Sequence, residues 1–450
     1  MKTAVIVGGG VVGLLAAMKV KKFASQVIIV EKDKECGGLL KSISNNNGIN
    51  FDFGTHIPSE TSIVEVNEML FEEMNSSEWN SLKIIKAGNF FNNELYTDSQ
   101  FIYLPKLKLE DYQEGLLQLL NSKNRKADLK NCNNLLEYCT HLYGEIYTEN
   151  IFIPLIKKFL GEDCDKLHPS ALSIFSFSRL IPGDAFLSRN LKESEIYDEK
   201  LAFSSYNEGV SNEKSFYPGT GEGINKWITH LVDKVKHLGI EIMNDCYVTE
   251  IENGEKTINK VMLSNGKAIE TDLLIWTANT SILAKLINNI TTKAPQMRKA
   301  VLLNYVFDCP FLIDNHYINC YDVKLKSFRV TLYSNLRGSG EQEAPYSCTV
   351  EVLNGELDCT KNIVSDIKRE LEIMGIVHRS ANVLYCDKIE IKNAFPILTH
   401  EVVENLTKQN LKLNKSFANL IIAGKATGES FFLNESIIDV YNKINAYISN

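Results

Sequence analysis

Thr3-Ala4-Val5-Ile6-Val7-Gly8-Gly9-Gly10-Val11-Val12-Gly13-Leu14 is the stretch that decides the fold. Thr3 to Val7 is a continuous apolar run that predicts a buried strand, and Leu14 to Lys22 continues as a helix. Between them lies GGGVVG. Gly8 permits a tight turn, Gly10 lets backbone approach a pyrophosphate, and Gly13 lets the helix pack closely on the strand. The helix start offers unpaired amides to an anion. Gln26 to Val30 predicts a second strand ending in Glu31, placed 18 residues after Gly13, where a carboxylate can accept hydrogen bonds from both ribose hydroxyls of an adenosine. Strand, glycine turn, helix, strand and acid together predict a dinucleotide cradle.

Working outward, 450 residues suffice for two or three domains. A hydrophobic share of 44% and a charged share of 23% exclude a disordered or collagen-like chain. The net charge of -8, without a long basic run, argues against nucleic acid as a partner. No run of apolar residues is long enough to span a bilayer. The apolar start is not read as a signal peptide, because Gly8, Gly9, Gly10 and Gly13 weaken its core and no cleavage site follows; the mature protein is expected to begin here. Ten cysteines without a CxxC pair fit reduced thiols in a cytoplasmic protein, with no metal expected.

After Glu31 come Cys36-Gly37-Gly38-Leu39-Leu40 and Gly48-Ile49-Asn50-Phe51-Asp52-Phe53-Gly54-Thr55-His56. Here the sequence resembles the flavoprotein superfamily of amine oxidases, protoporphyrinogen oxidases, phytoene desaturases and UDP-galactopyranose mutases. In that family the acid is followed by a GG turn and an FDxGxH-like segment running beneath the isoalloxazine, so the resemblance implies FAD. Phe216-Tyr217-Pro218-Gly219-Thr220-Gly221-Glu222-Gly223 resembles the oxidase branch's YPxGGxG segment, where the chain returns to the FAD domain. Tyr147 to Leu172 resembles, more loosely, a helical piece ending in a G-x-D turn.

The implied fold is mixed α/β. It comprises a Rossmann-like FAD-binding domain of the glutathione-reductase type, expected over residues 1–60, 210–290 and 388–450, and a discontinuous sheet-and-helix substrate domain over 61–209 and 291–387. The implied cofactor contacts are Gly8, Gly10, Val12, Gly13, Glu31, Lys32, Gly37, Gly38, Leu39, Gly54, Thr55, His56, Val248, Thr277 and Gly424. His56 is also the catalytic candidate, against the plainer reading of a histidine hydrogen-bonded within the fold. Phe395-Pro396 resembles a turn re-entering the flavin site, and Asn419 to Lys425 a strand and turn that, in the family, deliver a helix N-terminus to the flavin pyrimidine. Lys425 departs from the acid or arginine common there.

Arg329 and Arg337 are candidates for an anionic substrate group, with Arg179 and Arg189 behind them. Val306, Phe307, Phe328, Val330, Leu332 and Tyr333 are read as sheet core before pocket lining. The leading function is an FAD-dependent oxidoreductase in which flavin N5 accepts a hydride from a small organic substrate. The alternative is a nucleotide-sugar isomerase like UDP-galactopyranose mutase, although that enzyme's GYT-x-x-QW segment has no counterpart here. A flavin-binding protein without turnover is the third reading. The expected partner is a small molecule, and a homodimer is compatible with the sequence.

Overall fold

The computed structural model describes residues 1–122, 124–126, 132–175, 177–288, 295–338, 344–353, 362–428 and 430–449. The chain forms two compact units: 1–81, 216–294 and 401–450 make the first, and 82–215 and 295–400 the second.

The first unit is built on a parallel five-stranded sheet with the spatial order Glu241–Met243, Gln26–Val30, Thr3–Val7, Leu273–Trp276, Leu420–Ile422. In chain order this reads third, second, first, fourth, fifth, the doubly wound arrangement. The strands are apolar throughout because both faces are covered. Ala4, Ile6, Val27, Ile29 and Ile275 pack against a layer of helices that includes Val11–Lys21, Asn225–His237 and Leu433–Ser449. Val5, Val7, Ile28 and Val30 pack on the other side with Val248, Ile251, Val261 and Leu263 of an antiparallel meander, Val248–Asn253, Ile258–Leu263 and Ala268–Glu270. Each fully buried side chain of this kind stabilises by roughly 1.5–3 kcal/mol.

The second unit is organised around a seven-stranded sheet in the order Val383–Pro396, Met297–Phe307, Tyr346–Val352, Ser327–Leu332, Tyr317–Cys320, Ala87–Phe91, Glu94–Tyr96. Only the pair Tyr317–Cys320 and Ala87–Phe91 is parallel. Helix Ile363–Ile373 covers one face, burying Ile363, Ile367 and Leu371 with Leu303, Tyr305, Phe307, Val330, Leu332 and Val350. The other face carries buried polar residues. Asn304 Oδ1 accepts from Thr349 Oγ1 at 2.6 Å, and the Tyr333 hydroxyl lies 2.9 Å from that same oxygen.

All four boundaries differ from those the sequence suggested, with 210 and 291 moving only to 216 and 295 and the other two moving further. The first unit continues to Ser81 rather than stopping at residue 60, because Val66, Met69, Leu70, Phe71 and Met74 are buried in its helical core. Residues 388–400 belong to the second unit, since strand Val383–Pro396 pairs along Met297–Phe307 and carries Phe395 and Pro396 opposite Arg298 and Met297. The terminal helix starts at Leu433, separated from Gly424 by a short 3-10 turn over Lys425–Thr427. Among the described residues no helix is long and apolar enough to cross a membrane.

Candidate dinucleotide-binding site

In a doubly wound sheet the crevice for a ligand opens at the carboxyl ends of the strands, where the order reverses. Here the reversal falls between Thr3–Val7 and Leu273–Trp276. Gly8, Thr277 and Gly424 all leave from that edge. Thr277 donates to Val7 O through both its amide and its Oγ1, each at 2.9 Å, and Ala423 N donates to Trp276 O at 3.0 Å. Gly8 has φ +106°, and a Cβ there would stand 2.4 Å from Thr277 Oγ1, so any side chain at this turn is both strained and obstructed.

The glycines of the turn do different work. A Cβ on Gly13 would lie 1.9 Å from Gly8 O, so this glycine is what lets the helix start against the strand end. A Cβ on Gly10 would meet nothing within 4 Å, and its backbone (φ -72°, ψ 174°) suits any residue. Neither conformation nor packing within the chain therefore demands glycine at position 10, and the space in front of it is open. The helix it begins has no side-chain cap and no acid in its first turn, which leaves the N-terminal amides and their partial positive charge for an outside anion.

Glu31 is buried at the end of its strand. Its Oε2 accepts from Gly9 N at 2.6 Å and its Oε1 from Asp33 N at 2.9 Å. A carboxylate offers about four lone-pair sites, so two acceptor positions are left for hydroxyl donors. Gly9, to which the sequence reading gave no role, holds this acid: a Cβ there would come within 2.6 Å of Cys36 Sγ and 3.1 Å of Glu31 Oε2. Burial, and then the Glu31 charge, push the Cys36 thiol up to about 11, so it stays protonated and serves as packing. Gly37 N donates to Gly9 O at 2.9 Å, bringing the GG turn to the cradle, while Leu39 and Lys32 are solvent-exposed and Lys32 pairs with Asp33.

Asp52 is a second residue whose role the sequence did not disclose. Its buried carboxylate accepts from Ser42 Oγ at 2.7 Å, Ile224 N at 2.9 Å and the Tyr217 hydroxyl at 2.6 Å. It thereby joins the FDFGTH segment to the FYPGTGEG segment. His56 Nε2 lies 3.2 Å from Phe53 O. A carbonyl only accepts, so Nε2 donates in this contact, the plainer reading of a histidine bonded within the fold. Thr55 is partly buried beside it, Val12 packs on the helical core, and Val248 is buried opposite Leu263 in the meander.

The arginine candidates lie in the second unit. Arg329 is engaged by Glu351 through two bonds of 2.8 and 3.1 Å, so its charge is matched inside the sheet. Arg337 stacks over the Tyr333 ring at 5.5 Å, and Arg189 pairs with Glu208. Cys132, Glu137 and His141, which a search for CxxC passes over, bring ligand-type atoms within 4.8 Å of one another. Helix capping accounts for Glu137 in that cluster: Asn134 Oδ1 accepts from Glu137 N at 2.9 Å, and Glu137 Oε2 accepts from Asn133 N at 2.8 Å.

Comparison with known proteins agrees with this geometry. Residues 6–70 match the NAD(P)-binding Rossmann-like domain family. A 1-hydroxycarotenoid 3,4-desaturase of Flavobacterium sp. (strain P99-3) is 27% identical over 169 residues, 36% of this chain and 34% of that protein. The match thus spans about a third of the relative's length. Among solved structures, a reduced UDP-galactopyranose mutase superposes with a TM-score of 0.71 at 15% identity, covering 99% of this chain and 93% of that one. Putrescine oxidase bound to putrescine gives 0.62 at 11%, covering 100% and 99%. The fold is thus of the dinucleotide-binding, doubly wound class. More narrowly, the chain shares along its length the fold of those two solved structures.

Proposed function

We propose that the chain is an FAD-dependent oxidoreductase acting on a small organic molecule, with the first unit holding the cofactor. The observation that carries this reading is the open space before Gly10, at an uncapped helix start, with the Glu31 carboxylate held alongside the turn by Gly9. In this reading the amides of Val11 to Gly13 bind the pyrophosphate, and Glu31 orients the ribose through its remaining lone pairs. Gly37, Gly38, Gly54, Thr55, Thr277 and Gly424 border the path of the flavin, and His56, next to Thr55, is the catalytic candidate. FAD held there would supply two-electron oxidation of a substrate carbon, with a second acceptor taking the electrons.

The resemblance of GGLLKS and FDFGTH to the flavoprotein segments supports FAD over a nicotinamide. The putrescine oxidase and carotenoid desaturase similarities favour net oxidation. A redox-neutral nucleotide-sugar isomerase is the second reading, favoured by the higher TM-score of the mutase. Absorbance under anaerobic conditions separates the two. The expected result is an oxidised flavin spectrum bleached by an amine or other reduced substrate, with turnover requiring an acceptor. Turnover of a nucleotide sugar that appears only after dithionite reduction overturns the oxidoreductase reading.

A further inference from the structure

We propose that the second unit carries a binding site for a small organic anion, a carboxylate or phosphate ester with a body about the size of one ring, recognised by Arg179. A cavity of 240 Å³ lies wholly within this unit, and Gln100, Phe101, Arg179, Phe203, Tyr206 and Tyr317 are among its walls. A cavity of about 150 Å³ already holds benzene, so this one has room for a ring and an ionised group.

The charges around it single out one residue. Lys192 lines the cavity but is paired with Asp198, and its ammonium lies 4.5 Å over the Phe203 ring. Glu208 is taken by Arg189 and by Ser204 Oγ at 3.0 Å. Arg179 is different: among the described residues no carboxylate lies within ion-pair distance of it. Its charge is felt instead by Lys126, whose ammonium is held below its ordinary range first by burial and then by Arg179. A half-buried guanidinium facing a cavity without a counter-ion is a site for an anion, and its planar fork matches a carboxylate or phosphate.

Neutral donors complete the recognition. Gln100 Oε1 accepts from the Tyr317 hydroxyl at 2.7 Å, which fixes the amide and leaves its nitrogen to donate. Burial raises the Tyr206 phenol, so it also remains a donor. Phe101 and the Tyr317 ring supply apolar walls. An amine would meet uncompensated positive charge here, so the site selects against cations as well as for anions.

Taking this anion to be the substrate rests on the flavoenzyme reading; anion binding itself is measured without it. Titration calorimetry of the full chain with phenylacetate, phenyl phosphate and phenethylamine tests the site, with flavin content recorded from absorbance. At least one of the two anions is expected to bind and the amine not to, and Arg179→Gln should weaken binding by about tenfold or more. Arg179→Lys, which keeps the charge and loses the fork, should fall between. Should Arg179→Gln fail to fold, Gln100→Leu reads the same site and should also weaken the anion. Absence of binding by both anions, equal binding by phenethylamine, or full affinity in the Arg179→Gln protein overturns the proposal. Anion binding by a full chain that neither carries flavin as purified nor takes up added FAD overturns the flavoenzyme reading and leaves this site standing.

Discussion

The two units bury polar groups in opposite ways. In the first, the parallel sheet is apolar on both faces, and recognition is confined to the loops at its carboxyl edge, where backbone amides and one acid do the work. In the second, the sheet face away from helix Ile363–Ile373 buries Asn304, Thr331, Thr349 and Glu351 alongside apolar Leu302 and Val306, at positions where the first unit's strands carry apolar side chains. A backbone cradle tolerates changes of side chain as long as certain positions stay small. A side-chain network depends on each partner's charge and shape.

The largest effect should separate two glycines of the first unit. Gly13→Val places a Cβ within 1.9 Å of the Gly8 carbonyl, which cannot move without breaking its strand, and is expected to abolish recovery of folded protein. Gly10→Ala meets no atom and requires no change of backbone, so its melting temperature without cofactor should equal the parent's or rise slightly. Its flavin content should nevertheless fall sharply. A folded Gly10→Ala protein with full flavin absorbance would falsify the placement of the pyrophosphate.

Isosteric removal of one charge from each unit comes next. Glu351→Gln leaves Arg329 inside the sheet without its counter-ion and should cost about 3 kcal/mol, at the low end for a buried pair because the guanidinium keeps some contact with solvent. Asp52→Asn should cost only about 1 kcal/mol, since Ser42, Ile224 N and Tyr217 are neutral donors and the Tyr217 hydroxyl can turn from donor to acceptor. Trp79, Trp227 and Trp276, the chain's 3 tryptophans, all belong to the first unit. In urea, tryptophan fluorescence therefore follows the first unit, and circular dichroism follows both. A Glu351→Gln shift confined to fluorescence would contradict the assignment of that pair to the second unit's stability.

The same contrast explains what was legible in the sequence. The cradle is local: strand, turn, helix and Glu31 lie within one short stretch, and each glycine has a conformational or steric cause that can be named from its spacing. Asp52 was in view but its role was not, because Ser42, Tyr217 and Ile224 reach it from separate segments. Arg179 was ranked below Arg329 for the same reason: no spacing shows that Glu351 pairs across the sheet with Arg329, and no spacing shows that Arg179 lacks such a partner. Helix Val64–Leu70 lies in the first unit whereas the sequence suggests the second, because its apolar residues say that it packs, not against what.

The smallest expected effect concerns the helical layer of the first unit, where Glu65 binds Lys19 and Lys22, each at 2.7 Å, and accepts from the Tyr441 hydroxyl. The Lys19 and Lys22 hydrogen bonds, then the Tyr441 hydroxyl, hold the Glu65 carboxyl down at about 2, against an ordinary value of 4.5. A depressed carboxyl stabilises the fold above its unfolded pKa, and that contribution is lost as the pH falls from 4.5 towards 2. Glu65 and Lys22 are both open to solvent, so the amount at stake is less than about 1 kcal/mol. Glu65→Gln should flatten this part of the acid dependence: its urea midpoint, read by tryptophan fluorescence, should drop less than the parent's between about pH 5 and about pH 3. Parallel drops in the two proteins would show that the helical layer owes no acid sensitivity to this carboxylate, and that the first unit's loss of stability in acid begins elsewhere, with Asp52 the next carboxylate to test.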